Sequence, residues 1–282
     1  MPQRRGFTLV EVLIALVIMG VVTGAIYRLL NSSQRLSLAQ AEQVSLQSNV
    51  RTGSLVVPNE LRELNTVLAG SLEQNDIITP LADNAITYRA MRGLGFVCQA
   101  PVAGELRIAR STWTGLGNPA GKPYHAYLFD DKDPDDDDDD GWLRVDITGV
   151  TASDCGGNPA FQLATAAVIP AAVKIYTPVR LYEVMELKLY SADGEWWLGA
   201  RSVSAGEVNL QPVLGPLTAN GFQLQYLNSL GVATADEKAI KSIRVTVRGL
   251  TEDAVRHGGF GAMGHPEDSL VTQVMLRNSI RP

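Results

Sequence analysis

The chain has 282 residues, with 24 Lys and Arg against 30 Asp and Glu, a formal net charge of −6 and 45% apolar side chains. That acid excess excludes a broad basic surface for nucleic acid, though not a local patch, and the apolar fraction suffices for a sizeable core. Two cysteines, Cys98 and Cys155, are too few for a disulfide scaffold and lack the C-x-x-C spacing of a redox or zinc site.

The first element is an apolar helix. Residues 7–27 carry a single charge, Glu11, and are followed by Arg28. As a helix such a segment is about 30 Å long, enough to cross a bilayer. Arg4 and Arg5 precede it, and the bias of basic residues toward the cytoplasm places the N-terminus inside and the bulk of the chain outside. A secretory signal is cut beyond its apolar stretch at a small-residue site; no convincing site follows this stretch, and its length favours a retained anchor.

Glu11 does not fit a plain anchor. A carboxylate within a membrane helix costs about 2.5–3.5 kcal/mol on insertion scales and calls for a function or a partner. Cleavage between Gly6 and Phe7 would free an α-amine four residues from Glu11, inside the same apolar zone, where an opposite charge offsets desolvation.

The run Gly6-Phe7-Thr8-Leu9-Val10-Glu11, behind the short basic leader, closely resembles the processing site of type IV prepilins. In that family a membrane peptidase cuts after the glycine and methylates the new N-terminal residue, and the glutamate guides docking into the filament. The resemblance carries these roles to Gly6, Phe7 and Glu11. It implies other pilin or pseudopilin subunits, the prepilin peptidase, the inner membrane and an assembly platform as partners, with the large domain periplasmic. Gly20 and Gly24 form a small-x-x-x-small pair that permits close helix approach. Many major pilins have a proline near the end of this segment, where the present sequence has Arg28.

Residues 31–54 are polar and proline-free, with Leu36, Val44, Leu46 and Val50 at helical intervals, so the helix is expected to continue out of the membrane. Pro58 removes a backbone donor and predicts a kink or restart near Val57; Leu61, Leu64 and Leu68 extend the stripe to Gly70. Beyond residue 75 the apolar period shifts toward two. Runs at 85–91, 106–110, 126–129, 143–147, 173–176, 184–190, 196–201, 222–227, 243–247 and 271–276 read as strands, with Ser191-Ala192-Asp193-Gly194 as a hairpin turn. The expected fold is α+β: a leader over 1–6, an assembly helix over 7–28, an exposed helix over 29–70 and a mainly antiparallel β domain over 71–282. The strand sequences 222–226, 243–247 and 274–278 further resemble the larger PilW-like minor pilins and J-type pseudopilins.

Candidate sites in the β domain are few. Six consecutive aspartates, Asp135 to Asp140, read first as a solvated loop. The alternative is calcium, because Asp136, Asp138 and Asp140 followed by Gly141 reproduce the first half of an EF-hand loop, although position twelve is Ile147 instead of glutamate. Cys98 and Cys155 read as a single disulfide in an oxidising compartment or as two buried thiols. Gly259, Gly261 and Gly264 fit G-x-G-x-x-G without the following helix that a dinucleotide requires. His125, His257 and His265 show no metal-ligand spacing, and Trp142, Trp196 and Trp197 read as packing residues. No cofactor apart from calcium and no nucleic-acid site is expected, and nothing nominates a nucleophile, so a non-enzymatic filament subunit is the first reading. A receptor or adhesin module for DNA, a surface or secreted cargo is the second.

Overall fold

The computed structural model of the chain describes residues 8–66, 75–78, 80–102, 104–115, 117–130, 135, 141–166, 168–171, 173–256 and 261–276. One helix, α1, runs over Leu9–Arg62. The strands are β1 (Ile77–Ile78), β2 (Ala85–Val102), β3 (Glu105–Ala109), β4 (Thr114–Gly115), β5 (His125–Asp130), β6 (Gly141–Val145), β7 (Ile147–Cys155) and β8 (Asn158–Thr165). They continue with β9 (Pro178–Ala192), β10 (Glu195–Ser202), β11 (Gln211–Leu227), β12 (Ser242–Leu250), β13 (Val255–Arg256), β14 (Met263–Gly264) and β15 (Glu267–Met275).

The chain divides into two compact units, residues 1–48 with 250–268 and residues 49–249 with 269–282. The first contains the N-terminal part of α1 and the small β13–β14 hairpin. There the backbone N–H of Asp253 donates to Glu42 Oε2 at 3.3 Å, and His265 Nδ1 lies 2.8 Å from the carbonyl of Thr251.

The second unit is built on a 13-stranded sheet whose main path is β15-β12-β11-β10-β9-β2-β3-β8-β7. Its spine is the antiparallel β2–β9 pair, which runs from Ala85 opposite Lys188 to Phe96 opposite Pro178. The β9–β10 hairpin turns through Asp193 and Gly194, with φ of 55° and 86°. Positive φ at both positions is what a two-residue primed turn requires, and Asp-Gly supplies it cheaply.

Two apolar cores share this spine. One gathers Val57, Leu61 and Leu64 with side chains of β2, β9, β10, β11 and β12. The other joins Val97, Ile108, Ala126, Leu128, Val150, Phe161, Leu163, Val179 and Leu181. Trp113 lies so close over Gly93 and Gly115 that a Cβ added at either would stand 2.2 or 2.4 Å from its ring. Cys98 on β2 and Cys155 at the end of β7 form a disulfide across a separation of 57 residues.

α1 continues through Pro58 without a restart and ends at Arg62, before Leu64. The hydrogen bond that proline removes is local, whereas Val57 and Leu61 on either side are both fully buried and hold the segment against the sheet. Leu68 and Gly70 lie outside the described residues. Residues 173–176, expected as a strand, form a turn in which Tyr176 takes a φ of 73°. β7 and β8, by contrast, were not expected; their Gly, Ser, Asn and Pro content conceals the alternation.

The helix end is pinned by polar contacts. Arg92 on β2 bridges Glu60 of α1 and Glu183 of β9, each at 2.9 Å. Farther on, Asp76 is only 2% exposed, and its Oδ2 accepts the backbone N–H of Asn65 at 2.7 Å. The Asp76 carbonyl accepts the N–H of Arg89 at 2.7 Å, and the Arg89 guanidinium donates to the carbonyl of Asn75.

Burial pushes the Asp76 carboxyl up to about 7, against the opposing pull of the Asn65 N–H and of Arg89 and Arg180. The folded state therefore holds this proton more tightly than the unfolded chain, where an aspartate titrates near ~3.9. The resulting stabilisation is complete below about pH 4 and is lost as pH rises toward 7. In denaturant titrations of the detergent-solubilised chain, Asp76→Asn is expected to match wild type at pH 4 and to exceed it at pH 8 by on the order of a few kcal/mol. Equal pH dependence of the two proteins would contradict the assignment.

Candidate functional site

The N-terminal end of α1 is where the sequence concentrates chemistry. Thr8 precedes the helix and Glu11 is its third residue, the T-x-x-E arrangement that lets two side chains satisfy the free N–H groups of a helix start. The backbone N–H and the hydroxyl of Thr8 both donate to Glu11 Oε2, at 2.9 and 3.0 Å. In return the Glu11 N–H donates to Thr8 Oγ1 at 3.3 Å, and the Val12 N–H reaches the Thr8 carbonyl at 3.3 Å. All the donation to the carboxylate falls on one oxygen. Among the described residues no donor reaches Oε1.

This capping box is a structural feature of the candidate site that reading the sequence for charge alone passes over. Its signal was present: a threonine three residues before a glutamate, immediately ahead of an apolar run. Downstream of it the large apolar side chains from Leu9 to Leu30 are exposed, and this part of α1 is long and apolar enough to cross a membrane. Nothing lies within 4 Å of a Cβ built on Gly20 or Gly24, so both stand on an open helix surface. A buried face begins farther along, with Leu46, Val50, Val57 and Leu61 at helical spacing.

A family model, the prokaryotic N-terminal methylation motif, matches residues 1–27. The N-terminal segment is of the type IV prepilin kind. Neither a curated protein nor a solved structure matches the chain. The prepilin-type module covers the start of the chain only, and a module of this kind does not determine what the attached domain does. Gly6 and Phe7, which the resemblance makes the processing site, lie outside the described residues. Glu11 is described, with the partners given above.

The remaining candidates are dispersed over the β domain. Asp136, Asp138 and Asp140 lie outside the described residues, between β5 and β6. No cluster of three or more His, Cys, Asp or Glu suited to a metal occurs among the described residues. His125 approaches Asp146 at 3.2 Å and stacks on Tyr182 with ring centroids 5.3 Å apart, and Tyr127 stacks on the same ring at 4.7 Å. Trp142 packs edge-on to Phe129 and lies 4.3 Å beneath the Arg180 guanidinium. Trp197 packs against Gly215. Gly261 and Gly264 lie at the β13–β14 hairpin, and β15 follows where a dinucleotide site needs a helix. His257 and Gly259 lie outside the described residues.

Thr8→Ala deletes the hydroxyl and with it two of the three bonds of the capping box. The helix start should weaken by about 1 kcal/mol, so the Glu11 and Val12 amides of the detergent-solubilised chain should exchange with deuterium about fivefold faster. Thr8→Ser should restore the wild-type rate. Unchanged exchange in the alanine variant would show that the box does not hold the helix end.

Proposed function

We propose that this chain is a minor pilin or pseudopilin, a low-abundance structural subunit that helps initiate or cap a type IV pilus or a type II secretion pseudopilus. The observation that carries the reading is a carboxylate, Glu11, held at the start of an otherwise apolar exposed helix inside a methylation motif. In this reading a prepilin peptidase cuts after Gly6 and the amine of Phe7 is methylated. The chain is anchored in the inner membrane with its N-terminus cytoplasmic and its β domain periplasmic.

Filament cohesion then comes from burial of the apolar side chains between Leu9 and Leu30 against the helices of neighbouring subunits. Glu11 adds direction. Its charge is costly anywhere except beside a cation, and the nearest cation is the amine created by cleavage, either its own or that of the subunit it docks against. The β domain, residues 71–282, sets which subunits and surfaces are met. Its role is structural; the proposal assigns it neither a catalytic group nor a cofactor.

Glu11→Gln separates charge from capping, because a glutamine carbonyl still accepts from Thr8. The variant should insert in the membrane and be processed at wild-type levels, while its recovery in sheared filaments falls at least about tenfold, the loss expected for ~1.4 kcal/mol of docking energy. Wild-type recovery would remove the charge from the mechanism.

A further inference from the structure

Glu11 is the last acidic residue of α1 before Glu42, and the charged side chains between them are Arg28 and Arg35. Seven residues apart, these two share one helix face, with Cα atoms about 10.5 Å apart along the axis and about 20° apart around it. Both are exposed, and among the described residues neither has an acidic partner. Ser32 lies between them on that face, and its hydroxyl donates back to the Leu29 carbonyl at 2.9 Å.

The pair straddles the end of the apolar stretch. Leu30 closes the run of exposed apolar side chains, and residues 31–35 read Asn-Ser-Ser-Gln-Arg. Leu9 to Leu30 spans about 32 Å, close to the ~30 Å hydrocarbon of a bilayer whose headgroups add roughly 5–8 Å on each side. With Leu30 at the boundary, the Arg28 backbone lies about 3 Å inside the hydrocarbon and that of Arg35 about 7.5 Å beyond it, at the outer rim of the headgroups. A long arginine stem can lift its charge to the polar side, which serves Arg28. Helical Cα–Cβ bonds tilt toward the N-terminus, which inclines Arg35 back toward the same layer. Tyr27, 69% exposed, adds an aromatic ring at the depth where tyrosine is enriched.

We infer that the Arg28–Arg35 face of α1 binds the phosphates of anionic phospholipid headgroups, in the leaflet met by the far end of the apolar stretch. Guanidinium forks match phosphate oxygens, and each cation near an anionic surface favours it about fivefold. A neighbouring copy of this chain fits this face less well. Like helices side by side at one depth carry no acid between residues 12 and 41, so they set arginine against arginine. Lipid phosphate is the anion that this depth supplies to every inserted chain. The inference rests on the membrane-anchor reading given above, and it gives the helix a fixed depth before any subunit is met.

The test reconstitutes the full chain in phosphatidylcholine vesicles containing about one-tenth phosphatidylglycerol, with a photo-crosslinking amino acid at Leu29 or, near the middle of the span, at Met19. Mass spectrometry identifies the adducts. At Leu29 the ratio of phosphatidylglycerol to phosphatidylcholine adducts should exceed that of the bilayer by at least about fivefold. Arg28→Gln with Arg35→Gln should return it to the bilayer ratio, whereas Arg28→Lys with Arg35→Lys keeps the charge and should retain most of the enrichment. Four results would overturn the inference while lipid adducts from Met19 uphold the anchor: a wild-type ratio equal to that of the bilayer, a ratio unchanged by glutamine, a lysine variant as depleted as the glutamine one, or Leu29 adducts to protein in place of lipid. Absence of lipid adducts from both positions would overturn the inference and the anchor reading together.

Discussion

A carboxylate carried on an apolar helix must keep its oxygens hydrogen-bonded, and at Glu11 that need is met within the first turn. Thr8 supplies two donors to one oxygen and receives the Glu11 N–H in exchange, so the group is partnered before any other chain is present. Such bonds reduce the cost of placing the acid in a membrane without cancelling its charge. Among the described residues the other oxygen accepts no hydrogen bond, and in the reading proposed above it and the charge are left for a cation. In the reading proposed above, a precursor that can insert and a mature subunit that seeks a partner are served by one side chain, with cleavage at Gly6 as the event that separates the two states.

Within the second unit the C-terminal part of α1 is held firmly against the sheet. From Leu46 onward the helix buries one face, and Pro58 does not interrupt it because the flanking Val57 and Leu61 sit in the core. Arg92 ties Glu60 to Glu183, and Asp76 ties the end of the helix to β2. Removing one partner of such half-buried pairs costs more than the pair contributes, so the junction specifies a position more than it adds stability. The disulfide between Cys98 and Cys155 closes the far part of the sheet through β7, suited to an oxidising compartment.

Much of this was legible in the sequence, for identifiable reasons. The span, its lone acid and the GFTLVE run are one-dimensional signals, carried by residue order alone. The long helix, the antiparallel domain and the Asp193-Gly194 hairpin follow from periodicity and turn chemistry. The capping box was missed because Glu11 drew attention as a charge and not as a hydrogen-bond acceptor. β7 and β8 were missed because glycine, serine and proline break the alternation of strands whose inward residues, Val150, Phe161 and Leu163, are few. Residues 173–176 looked like a strand because apolar content does not reveal that Tyr176 adopts a left-handed turn. Sequence could not show that Asp76 is buried, since a polar residue before a strand is ordinarily solvated.

The central claim is that the chain functions with Phe7 as its first residue, so that a new amine lies within reach of Glu11. Mass spectrometry of the mature N-terminus, on protein recovered from its own membranes, tests this most directly. An N-methylated Phe7 is the predicted result. An intact Met1, or a terminus beyond Tyr27, would contradict it.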